Sequence, residues 1–60
     1  MNATEIQVHA RKLFEVQGPR AIAEAARKAA QLEAHDDREG ARLWRRIEAA
    51  LLLMRGPRET

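Results

Sequence analysis

The sequence has no Cys, no Ser and no Tyr, and its two Thr stand at positions 4 and 60. The usual thiol and hydroxyl nucleophiles are therefore all but missing, and covalent catalysis has no candidate residue. Without Cys there is no disulfide and no Cys-based zinc or iron–sulfur site. Pro occurs only at positions 19 and 57, Gly only at 18, 40 and 56, and the aromatics are Phe14 and Trp44 alone. The longest apolar run, Ala49 to Met54, is six residues. That is far below the roughly 20 needed to span a bilayer, so no membrane partner is expected. The opening Met1-Asn2-Ala3-Thr4-Glu5 lacks the basic and apolar stretches of a secretory leader, which makes a cytoplasmic protein the expectation.

Sixty residues suffice for one small domain. Hydrophobic residues make up 45% and charged residues 33%, too apolar a balance for a disordered tail. Eleven Lys and Arg against nine Asp and Glu leave a formal charge of only +2. The pI near 9.9 overstates that excess, because few groups titrate in so short a chain. Net charge alone thus points to neither nucleic acid nor membrane.

Gly and Pro punctuate the chain. Gly18-Pro19 and Gly56-Pro57 are each the pairing found just past a helix C-terminus. Leu13 to Arg20 (LFEVQGPR) and Leu51 to Arg58 (LLLMRGPR) share that ending, which reads as one stop signal used twice. Asn2 followed three places later by Glu5 forms a capping box. Ala3, Ile6, Ala10, Leu13, Phe14 and Gln17 then recur at helical spacing, predicting a first helix over about residues 3–17. Pro19 suits the first turn of a second helix, over about 19–34, because its missing N–H is not needed there. Ile22, Ala25, Ala26, Ala29 and Leu32 are its apolar stripe, and seven Ala between positions 21 and 34 make it a thin helix that neighbours can approach closely.

Asp36 with Glu39 reads as a second capping box, so His35-Asp36-Asp37 should turn the chain into a third helix over about 37–55. Leu43, Trp44, Ile47, Ala50, Leu51 and Met54 form its stripe, and Gly40 in its first turn is a modest liability against Ala. Nothing alternates with period two. The expected fold is all-α: a small three-helix domain in which helices two and three form an antiparallel hairpin. Such a chain is marginally stable alone, and self-association is the simplest remedy without cysteines or a metal.

A mismatch on helix three is the strongest functional lead. Arg38, Arg42, Arg45 and Arg46 are expected on the face opposite the Trp44–Ile47 stripe, with Leu52 and Leu53 further along that same face. Two adjacent leucines beside a basic stripe point to a contact surface made of Arg42, Arg45, Arg46, Ala49, Leu52 and Leu53. The alternative is that the leucines fold back over the core. For the arginines, bidentate pairing with an acidic protein partner is one use, and a solvated helix face is the plainer explanation.

Nucleic acid is a further use for the arginines, through phosphates or a guanine edge, and helices two and three have a helix-turn-helix arrangement. Against it stand the acidic turn (Glu33, Asp36, Asp37, Glu39) and the want of a free aromatic for stacking. The turn cluster of Glu33, His35, Asp36, Asp37 and Glu39 matches no metal-loop spacing and is explained by helix capping, so neither metal nor cofactor is expected. His9 is expected as an exposed helix residue without a catalytic partner, Trp44 as a core anchor, and Val8 and Val16 off the main stripe.

From Ala25 to Leu52 the chain reads AARKAAQLEAHDDREGARLWRRIEAALL. Its small residues at helical spacing, acidic turn and Trp44 resemble the hairpin of tetratricopeptide-type and related helical-hairpin domains. The early Trp-Leu-Gly part of such a unit is absent, and there is one hairpin where solenoids use about three. The chain is also similar to short uncharacterised helical proteins of bacterial genomes that carry a Trp-Arg-Arg-Ile stretch before a Gly-Pro stop. The resemblance implies a role in protein contacts and brings no catalytic residues. The expectation is a small non-enzymatic interaction module, a homodimer in its favoured form, with a nucleic-acid-binding regulator as the alternative.

Overall fold

A computed structural model describes residues 2–55 of the chain. It contains three helices, α1 (Ala3–Gln17), α2 (Arg20–Ala34) and α3 (Arg38–Arg55), and no strand among the described residues. The Gly56-Pro57 stop signal lies outside them.

The helix ends follow from local chemistry. At the start of α1 the Asn2 side chain accepts from the Glu5 N–H at 2.8 Å, and the Glu5 carboxylate accepts from the Asn2 N–H at 3.1 Å. The capping box is thus formed on both sides, satisfying two donors that the helix itself leaves over. At the other end Gly18 donates its N–H to the Phe14 carbonyl at 2.7 Å, with φ 64° and ψ −147°. Those angles are reserved for glycine, although nothing lies within 4 Å of where a Cβ would stand. Gly18→Ala should therefore cost about 1–3 kcal/mol through backbone strain alone, read as a lower midpoint in a thermal melt followed by helical circular dichroism. An unchanged midpoint would show that this turn relaxes freely.

The turn between α2 and α3 departs from its expected form. Asp36, not a glycine, takes the left-handed conformation with φ 61°. The Asp36 N–H reaches the Glu33 carbonyl at 3.0 Å and the Asp37 N–H reaches the Leu32 carbonyl at 2.8 Å. This is the Schellman pattern that closes a helix C-terminus, and Asp is among the few side chains that tolerate its central conformation. Asp36 is thereby committed to ending α2. The cap of α3 falls to Asp37, whose side chain accepts from the Gly40 N–H at 3.1 Å. A Cβ at Gly40 would stand 2.8 Å from the Asp37 carboxylate and 3.2 Å from Leu32 Cδ1. The glycine that looks like a helical liability leaves room for the cap.

The most extensive packing is between α2 and α3, followed by α1 on α3, with α1 touching α2 least. Among the described residues nine hydrophobic side chains are buried, but six are Ala (Ala10, Ala21, Ala25, Ala29, Ala41 and Ala50). Ile6, Ile47 and Leu51 are the large ones among these nine, which makes the core thin. Alanines on α2 let the α3 backbone come close, so the hairpin is held by short contacts more than by bulky side chains. Leu13, Phe14, Ile22, Leu43, Trp44 and Met54 are only partly covered around this centre. Ile6 and Ala10 of α1 join Ala21, Ala25, Ile47, Ala50 and Leu51 in one cluster, to which Ala29 and Ala41 do not belong. Hence α1 packs on the half of the hairpin remote from the turn.

Candidate interaction surface

The periodicity of α3 places side chains around one helix, and its neighbours decide what each of them meets. Leu51 is fully buried, whereas Leu52 is 41% and Leu53 78% exposed. Among the described residues neither leucine is folded back over the core. The four arginines part company. Arg45 is turned toward α2, where its Nε and Nη2 donate to the two carboxylate oxygens of Glu33 at 3.3 and 3.2 Å. Its Nη1 donates to Glu48 one turn on, at 3.2 Å. These hydrogen bonds, to Glu33 first and then to Glu48, hold the guanidinium pKa above its ordinary value. Arg45 thus serves as a fork between helices while its side chain stays 45% exposed.

Arg38 pairs with Asp36 at 3.3 Å, both well exposed. Arg42 and Arg46 form no ion pair with a described residue. The six residues expected as one surface thus fall into two strips. Arg42, Arg46, Ala49 and Leu53 follow one another at i, i+4, i+7 and i+11 along the edge nearer α1. Arg45 and Leu52, seven residues apart, lie along the edge nearer α2.

Beside the first strip runs a groove walled by Ala3, Ile6 and Gln7 of α1 and by Arg46, Ala49, Ala50 and Leu53 of α3. Among the described residues its only charge is Arg46. A second depression shares Arg46 with it and extends past Arg42 to Leu43, Gly40, Glu39 and Asp37. Sequence reasoning missed the α1 side of the groove, because nothing in helix periodicity says which flank of α3 the first helix will cover.

Other expectations are also corrected. His9 is half-buried, not exposed: its ring packs edge-on to Trp44 with centroids 5.7 Å apart and planes 67° apart. Lys28 Nζ lies 6.0 Å from the Trp44 ring centroid. Trp44 is thus the point where one side chain from each helix meets, packed against the core and half-covered. Val8 and Val16 remain 51% and 83% exposed. Three of the four acidic turn residues have partners, Glu33 in Arg45, Asp36 in Arg38 and Asp37 in the Gly40 N–H that it caps. Among the described residues no three His, Asp or Glu side chains converge in the manner of a metal site. No helix among them is long and apolar enough to cross a membrane. Compared with known protein families, with curated proteins and with solved structures, the chain finds no match.

Proposed function

We propose that this chain is a small, non-enzymatic protein-interaction module that makes its contacts with the outer face of α3. One observation carries the reading: Leu53, 78% exposed, and Leu52 directly follow the fully buried Leu51 on a helix whose inner face is already satisfied. Exposed leucines side by side on a domain this small are more economically used in a contact than left in water. The resemblance of the hairpin to tetratricopeptide-type units, which act through protein contacts, agrees with it. Two occupants are in view. A second copy is favoured by the thin core, which gains stability from any added cover. A different protein with acidic side chains is favoured by Arg42 and Arg46. The nucleic-acid alternative is the poorer account, since Arg45 is already bound by two carboxylates and Trp44 is held between His9 and Lys28.

The test is the solution mass by light scattering on a sizing column, for the wild type and for Leu52→Glu/Leu53→Glu. The self-associating form predicts a dimer that the double substitution converts to a folded monomer. A dimer untouched by it would sink the outer face of α3 as the contact. A wild-type monomer leaves the surface to a different protein.

A further inference from the structure

We infer that the groove between α1 and α3 receives an acidic amphipathic helix of another protein, an assignment that rests on the interaction reading above. The groove is open and mostly apolar, and its lining runs over two turns of α3, from Arg46 to Leu53. Ala3 and Ala49 are small and exposed, Leu53 is the large apolar side chain open to a partner, and Ile6 beneath them belongs to the core. Helices bind such grooves by anchoring apolar residues at i, i+3, i+4 and i+7.

Charge identifies the occupant. Arg46 lines the groove and Arg42 follows one turn away, at the spacing that puts both on one edge. Neither is paired with a described residue, whereas Arg45, their neighbour, is bound by Glu33 and Glu48. Among the described residues no carboxylate lines the groove, and in the adjoining depression Asp37 is held as the α3 cap, leaving Glu39. A Glu or Asp on the incoming helix meets two guanidiniums ready for bidentate pairing. A second copy is the poorer fit in this groove. Laid parallel about a two-fold axis, the strip faces Arg42 and Arg46 with their own copies; laid antiparallel, it sets them against Leu53 and Ala49, and in neither case does an acid of the strip meet them.

The experiment titrates the isotopically labelled full chain with a synthetic helical peptide of about 18 residues, five turns, bearing one Leu stripe flanked by Glu. A control peptide carries Lys at every Glu. Amide resonances of Gln7, Arg46, Ala49 and Leu53 are expected to move with the Glu peptide, and binding of the Lys peptide is expected to be weaker by roughly tenfold or more. Leu53→Glu and Arg42→Glu/Arg46→Glu should each weaken the Glu peptide by roughly tenfold while the spectra still report a folded chain. Added salt should weaken the complex, as its charges are exposed.

Equal binding of the two peptides would overturn the acidic occupant. So would shifts spread evenly over Arg11, Lys12, Arg20 and Arg27, basic residues outside the groove. A DNA duplex that moves the groove resonances more strongly than the peptide would replace it with nucleic acid. A wild-type dimer whose own contact covers the groove would overturn the acidic helix yet leave the interaction reading standing. Absence of peptide binding, together with a dimer that Leu52→Glu/Leu53→Glu does not disturb, would remove both.

Discussion

Leu51→Ala should bring the protein to the edge of unfolding, while Leu53→Ala, two residues on, should leave its stability almost unchanged. Leu51 is fully buried at the centre of the three helices, and with Ile47 it is one of the two largest side chains entirely shielded from water. Truncating such a leucine costs about 3–5 kcal/mol, from lost transfer energy and from the cavity left behind. A domain of this length has in total only about 3–9 kcal/mol, at the usual stability per residue. The two quantities are of the same size. Neighbouring alanines cannot collapse far into the gap, because their short side chains already bring the helices together. The expected result for Leu51→Ala is a melting midpoint lower by about 15 °C or more, or no cooperative transition. For Leu53→Ala the change should stay within about 0.5 kcal/mol, the range of exposed substitutions. A large loss from Leu53→Ala would mean that this leucine is part of the fold and not a contact residue.

The second large effect has the opposite sign from what hydrophobicity alone suggests. Ala25→Leu adds apolar volume on the inner side of α2, where Ala25 is wholly buried in the cluster shared by all three helices. If the thin core merely lacked hydrophobic mass, the substitution would stabilise it. The structure requires the reverse. A leucine at that position must push α3 or α1 away, opening the contacts that the alanines on the hairpin make by close approach. A loss of about 1–3 kcal/mol is expected, and more if α1 is displaced altogether. Ala23→Leu, on the exposed side of the same helix, supplies the control and should be near neutral. Urea unfolding followed by the fluorescence of Trp44, the one tryptophan, reads both variants. Equal midpoints would show that the α2 interface is loose enough to take a larger side chain.

These two expectations bear on the surface as well as on the core. A domain whose helices are held apart by methyl groups has little cover to spare for its larger side chains. Leu43, Trp44 and Met54 stay partly exposed for that reason, whereas Leu52 and Leu53 stand outside because the period of α3 turns them away from its core.

Much of the architecture is legible in the sequence because it depends on near neighbours. The Asn2–Glu5 capping box, the glycine stop at position 18 and the three apolar stripes act over a few residues, and each recurs in the structure within a residue or so of its expected place. The turn after α2 was harder to read. Asp36 and Asp37 are chemically alike, and only the backbone conformation that ends α2 decides which one is free to cap α3. Ala41 is buried although it stands off the main stripe, since α2 approaches α3 from that side.

The surface residues divide along the same line. That helix three carries arginines and leucines on a face away from its core follows from composition and a period of 3.6 residues. Which arginine stays available does not. A long side chain at the edge of a helix can reach solvent or the next helix, and the choice is made by whatever acid stands across the gap. Glu33 of α2 stands within reach of Arg45 and claims it, while Arg46 lines a groove whose α1 wall, Ala3, Ile6 and Gln7, carries no acid. His9 likewise leaves solvent because Trp44, 35 positions away in the chain, is brought against its ring. By itself the sequence determined the helices, their ends and the existence of a second apolar face. The tertiary structure decided which charges are neutralised, where the groove lies and which leucine borders it, because those depend on distances between segments that no local pattern encodes.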